Sequence, residues 1–141
     1  MKFLQIILAV TMFALVADAK EIRRVCRDSS GRITGTITKR CNRTVYRDKL
    51  GLIRKTATTK GNRTVYRNKL GLIIGTRTVR GRAAIYRDAL GRIRGTSRTT
   101  GRTTTYRNAS DQITGKATRS RSGTTYYRDA QGRSRGTSRR R

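Results

Sequence analysis

Tyrosine followed by arginine recurs at Tyr46–Arg47, Tyr66–Arg67, Tyr86–Arg87 and Tyr106–Arg107, and once more, a residue late, at Tyr127–Arg128. A guanidinium offers a planar fork of donors to phosphate, sulfate or carboxylate. A phenol ring beside it offers a stacking face to a base or a sugar. Arg43, Arg63, Arg82 and Arg102 add cations near a second recurring turn. These residue types at this spacing point to a repeated polyanion platform, for nucleic acid, anionic polysaccharide, lipopolysaccharide or anionic lipid.

Other chemistry is poorly supplied. Histidine, the commonest general base and metal ligand, does not occur in the 141 residues. Asp28, Asp48, Asp88 and Asp129 recur in one slot that Asn68 and Asn108 fill equally well. Such interchange suits a hydrogen-bonding cap and not an acid or base. Two cysteines without histidine make neither a zinc site nor an activated nucleophile. The expectation is a non-enzyme without metal or cofactor.

Positioning these residues requires knowing the repeat. The phrases "CRDSSGRITGT", "YRDKLGLIRKT", "YRNKLGLIIGT", "YRDALGRIRGT", "YRNASDQITGK" and "YRDAQGRSRGT" define six units of about twenty residues. They lie near 25–44, 45–64, 65–84, 85–104, 105–125 and 126–141. Two turns alternate within each. One reads Asp/Asn-x-x-Gly, with a capping side chain at its first position and a glycine fit for positive φ at its fourth. The other centres on Gly61, Gly81 or Gly101. The runs between are rich in Thr, Val, Ile and Tyr, and proline is absent.

An all-β fold follows: a serial antiparallel β-hairpin meander, expected as an open or curled sheet over residues 20–136, with 137–141 as a basic tail. A parallel solenoid is disfavoured. It would stack Arg47, Arg67, Arg87, Arg107 and Arg128 about 4.8 Å apart, where neighbouring like charges cost about 1 kcal/mol even in water. If Arg80 and Gly81 form a two-residue loop, Gly75 faces Tyr86, Gly95 faces Tyr106 and Lys55 faces Tyr66, an aromatic-over-glycine pairing.

The ends of the chain set its expected location. Lys2, an apolar run from Phe3 to Ala17, and Ala17-Asp18-Ala19 make residues 1–19 a secretory signal peptide. Its removal deletes one base and one acid, so the net charge stays at +28. The mature chain is expected in the periplasm, at the cell surface or outside the cell. Export makes a Cys26–Cys41 disulfide the first expectation, yet a regular hairpin would separate the two by about 20 Å. A locally distorted, disulfide-closed first unit would reconcile them; pairing between molecules or two reduced thiols would also do so.

"GRTTTYRN" and "YRDALGRI" resemble the YD repeats of bacterial Rhs and related exported proteins. The matching positions are Tyr86, Asp88, Gly91, Arg92 and Ile93, then Gly101, Thr104 and Tyr106. The resemblance implies β-hairpins and bacterial export. In that family the hairpins wind into a long shell, which six units are too few to enclose. Arginine (Arg47, Arg87, Arg128) stands where the family usually has the tyrosine that precedes the Asp, so this version is far more basic.

A polyanion platform is therefore the leading expectation. The second is a structural or adhesin-like module that self-associates through open sheet edges.

Overall fold

The computed structural model describes residues 20–141; the expected signal peptide lies outside the described residues. Twelve strands occur in chain order: β1 (Ile22–Arg27), β2 (Ile33–Arg40), β3 (Arg43–Asp48), β4 (Ile53–Lys60), β5 (Arg63–Asn68), β6 (Ile73–Arg80), β7 (Ala83–Asp88), β8 (Ile93–Thr100), β9 (Thr103–Asn108), β10 (Ile113–Arg119), β11 (Thr125–Asp129) and β12 (Ser134–Arg140). Each pairs antiparallel with its sequence neighbours, as a serial meander requires.

The sheet is not open. β1 pairs with β12, matching Arg24 with Arg140 and Cys26 with Ser138, and the barrel closes. Residues 137–141 are therefore no loose tail. They form most of the closing strand, and the Arg141 amide donates to the Arg23 carbonyl at 3.0 Å. Closure leaves no edge strand, which removes the surface that assembly through open sheet edges would need.

The cause of closure is a small distortion repeated six times. In every hairpin the register shifts by one residue at the step after the Tyr or Cys slot, a β-bulge that sharpens twist and bends the strand. At the same level Gly35, Gly75, Gly95, Gly115 and Gly136 let the next hairpin approach. A Cβ on Gly75 would lie 2.5 Å from the Arg87 carbonyl oxygen, and one on Gly115 2.6 Å from that of Arg128. Gly136 makes the equivalent approach to Arg27 across the seam. The sixth unit thus docks on the first as each unit docks on the next.

The pairing register corrects one expectation. Arg80 pairs with Ala83, so the loop is Gly81–Arg82 and not Arg80–Gly81. Tyr86 consequently faces Gly95, Tyr66 faces Gly75, and Lys55 lies opposite Tyr46. Gly75 pairs with Asp88 on its other side, not with Tyr86. The slip is by two residues, so every side chain keeps its face. Tyrosine still packs over glycine, but over the glycine of its own Asp-x-x-Gly hairpin.

The first unit is regular as well. Cys26 occupies the tyrosine slot on β1, and Cys41 sits in the opposite turn with φ 51°. Both are free, so the expected disulfide-closed cap does not form.

One row of alternating side chains fills the interior. Ala57, Ala84, Ser97, Ala117 and Ser138 are nearly sealed, and each lies in the row that carries the tyrosines. Small residues beside large rings are what a closed sheet can accommodate. Replacing Gly75 with Ala should lower unfolding stability by about 1–3 kcal/mol, as overpacking does. Urea titration of the variant against the parent checks this, and an unchanged midpoint would remove the glycine approach as a determinant of the fold.

Candidate functional site

Neighbouring residues on a strand point to opposite faces. Tyr46, Tyr66, Tyr86, Tyr106 and Tyr127 therefore turn inward while Arg47, Arg67, Arg87, Arg107 and Arg128 turn outward. The expected Tyr/Arg platform does not exist as one surface. The alternation rule alone could have shown this.

Three of these outward arginines serve the Asp-x-x-Gly turns. Arg87 donates to the Gly91 carbonyl at 3.1 Å, Arg107 to that of Asp111 at 2.7 Å, and Arg128 to that of Gly132 at 3.0 Å. Arg27 does the same for Gly31 at 2.7 Å. The residue that follows each of these arginines carries the turn cap. Asp48 Oδ1 accepts from the Leu50 and Leu52 amides, and Asn68 Oδ1 accepts from Leu70 and Leu72. Asp88 and Asp129 also accept from the Nε of Arg92 and Arg133 at 2.8 Å. Desolvation pulls those two carboxyls upward. Hydrogen bonds and charge from the arginines outweigh it, holding both below the usual carboxylate range.

Inside, the phenols form a ring toward the Asp-x-x-Gly end. Lys55 Nζ lies 4.7 Å from the Tyr46 ring centre and 5.6 Å from that of Tyr66, and the Arg77 guanidinium lies 5.9 Å from that of Tyr86. Arg77 Nε also donates to the Tyr86 hydroxyl at 3.3 Å, which is hydrogen-bonded to Ser97 at 3.2 Å. Cations of the chain itself thus cover ring faces that were expected to receive a base or sugar. Burial first, and then the Tyr66 phenol, push the Tyr46 pKa up to about 12, against an opposing pull from Arg77. Burial likewise raises Tyr66, Tyr106 and the Cys26 thiol.

At the other mouth the lining changes character. Arg24, Lys39, Arg119 and Arg140 surround a cavity of about 290 Å³, together with Ile22, Ile37 and Thr44. No carboxylate lines it. Arg24 is held in place by Nη1 donating to Thr125 Oγ1 and Ser138 Oγ, both at 3.4 Å. Arg24 and Arg140 face each other directly across the seam, where paired like charges cost about 0.2–1 kcal/mol. An anion seated between them would relieve that repulsion. Nearby, a second cavity of about 520 Å³ is lined by Arg102, Arg119 and Arg121 with Thr99, Thr104 and Ser120.

Of the four mouth cations, sequence reasoning reached Arg140 only as part of the basic tail and singled out none of Arg24, Lys39 and Arg119. A signal existed in the departures from the repeat. The Arg24 slot holds Thr44, Thr64, Ala84, Thr104 and Thr125 in the other units, and the Lys39 slot holds Thr59, Val79 and Thr99 where it is not Arg119 or Arg140. Of the expected cations, Arg102 lines the second cavity. Arg43 and Arg63 lie on outward strand positions, and Arg82 lies in the Gly81 loop.

No family model matches the chain, and no match to it was found among curated proteins.

The ring supplies a pH signature. Because the Tyr46 pKa lies above the ordinary value near 10, its neutral form stabilises the barrel. That contribution is complete below about pH 10 and is lost as pH rises through about 12. Urea midpoints measured across this window should fall, and Tyr46→Phe should flatten the fall. An equal fall in the variant would show that Tyr46 is not the responsible group.

Proposed function

We propose that the chain is an exported, non-enzymatic binding protein for polyanions, and that it grips them at the cationic mouth. The observation that carries this reading is the convergence of Arg24, Lys39, Arg119 and Arg140 on one acid-free cavity. The fold places these four close together although they come from opposite ends of the chain. It also sets two of them directly opposite each other at a cost in stability that nothing in the repeat requires.

Charge elsewhere agrees with this orientation. Of the acids in the described residues, Asp28, Asp48, Asp88, Asp111 and Asp129 lie at the Asp-x-x-Gly end, and only Glu21 lies toward the mouth. The mouth end therefore carries its cations with a single acid, Glu21, to offset them. Such a gradient steers an anionic polymer to one end of the molecule. Candidate polymers are nucleic acid, anionic polysaccharide and lipopolysaccharide, all of which present repeated phosphate, sulfate or carboxylate to arginine forks. The acids of the Asp-x-x-Gly turns are engaged in turn hydrogen bonds, and histidine is absent, so the reading involves no acid–base chemistry.

The test compares two variants of equal charge. Lys39→Gln, Arg119→Gln and Arg140→Gln together empty the mouth but spare Arg24. Arg54→Gln, Arg94→Gln and Arg135→Gln remove as much charge near the opposite end. On heparin and on DNA, the mouth variant should elute at clearly lower salt. Its slope of log affinity against log salt should fall by roughly 2–3, at about 0.7–0.9 per lost contact. Equal losses in both variants would show diffuse attraction and end the mouth assignment. Retention of the parent that does not depend on salt would end the polyanion reading.

A further inference from the structure

The end of the barrel opposite the mouth carries a different anomaly. Leu50, Leu70 and Leu90 stand at the tips of three consecutive turns, β3–β4, β5–β6 and β7–β8, with 76%, 73% and 77% of their surface exposed. Leu52 and Leu72 follow at 60% and 63%. Ile53, Ile73 and Ile93 are exposed just below them.

Nothing in the turn demands leucine. The turn needs a cap at its first position and a glycine at its fourth, and the equivalents of Leu50 in the remaining units are Ser30, Ser110 and Gln131. Those three turns make the same capping bonds. The apolar tips are thus confined to one half of the rim. A contiguous apolar surface of this kind on a strongly charged protein marks an interaction site.

Charge decides the occupant. Lys49 and Lys69 precede two of the tip leucines, and Arg54 and Arg94 lie on the strands that leave these turns. A second copy would bring Lys49 and Lys69 against their own counterparts. A surface that is apolar below and anionic above matches both features at once. We propose that this end docks on anionic lipid bilayers, with the leucine tips inserted among the acyl chains and the cations of the rim at the headgroup phosphates.

The geometry fits docking and not crossing. The strands are five to eight residues long, short of the roughly 9–11 that a tilted spanning strand needs. The outward arginines Arg47, Arg67 and Arg87 lie directly beneath the tips and set a limit on depth. This inference stands on the tips and their flanking charge and is independent of the mouth.

The experiment uses flotation with vesicles of phosphatidylcholine alone and of phosphatidylcholine with phosphatidylglycerol. The parent chain should float with the mixed vesicles and much less with the neutral ones. Leu50→Ser, Leu70→Ser and Leu90→Ser together should lower partitioning by roughly tenfold or more, while leaving the β spectrum and heparin retention unchanged. Serine already fills this slot in two other turns, which protects the fold. The chain has no tryptophan, so Leu70→Trp is a single reporter whose emission should shift to the blue on adding mixed vesicles. Parent-like flotation of the triple variant would overturn the proposal, as would an unshifted reporter. A dimer in the parent that the triple variant loses, seen by sedimentation, would assign the tips to a second copy and overturn it equally.

Discussion

Opposite each step from tyrosine to arginine the partner strand bulges by one extra residue, and the glycine beside that bulge lets the carbonyl of the next hairpin come in where a Cβ would otherwise stand. The two features act together. The bulge bends the strand, and the missing side chain lets the adjacent hairpin follow the bend. Five of the junctions between units use glycine, including the one that joins Gly136 to Arg27 across the seam. The sixth uses Lys55, whose long side chain runs over the rings of Tyr46 and Tyr66 instead of occupying the junction itself. Because the same bend occurs at the same height in every unit, it accumulates evenly, and the twelfth strand meets the first.

Closure then decides what each residue can do. A barrel wall has one inner and one outer face, so Tyr46 and Arg47 are assigned opposite environments however close they are in the chain. The phenol goes into a lumen that raises its pKa, and the guanidinium goes outside. Arg87 and Arg128 there hold the same turns whose acids hold Arg92 and Arg133, and Arg107 holds the turn capped by Asn108. Part of the positive charge near this end is thereby committed to fixing turns. At the other mouth no turn acid faces Arg24, Lys39, Arg119 and Arg140.

What the sequence could and could not reveal follows from the range of the interactions. Turn caps, strand identity and antiparallel order depend on residues within one or two units, and they are legible in "YRDALGRIRGT". The capping role of Asp48 and Asn68 could be read from their interchange. Register is a finer matter. The step from Arg80–Gly81 to Gly81–Arg82 moves every pairing by two residues, and both assignments satisfy the same turn preferences. Closure has no local signal, because no single unit contains enough bend to reveal it. The mouth inherits that difficulty: Arg24 and Arg140 become neighbours only through the seam. A chain read as an open ribbon places them at its far ends, and the same reading leaves the disulfide of Cys26 and Cys41 as an open question that the regular first hairpin answers.

A sixfold repeat also implies where function must lie. Positions that hold the same residue in every unit build the barrel, and they cannot mark one end or one side of it as special. Asymmetry has to come from departures. Two sets stand out, and they are separated in both height and direction around the axis. Arg24, Lys39, Arg119 and Arg140 replace small or neutral residues near the seam, at the Gly-turn end. Leu50, Leu70 and Leu90 replace Ser or Gln at the Asp-x-x-Gly end, in the turns within β3 to β8 that face away from the seam. A barrel of this kind, held to a surface by the leucine tips, turns the cationic mouth outward toward whatever approaches. If both surfaces act, the rigid wall between them does no more than hold that orientation, and the short, closely bonded strands are well suited to it.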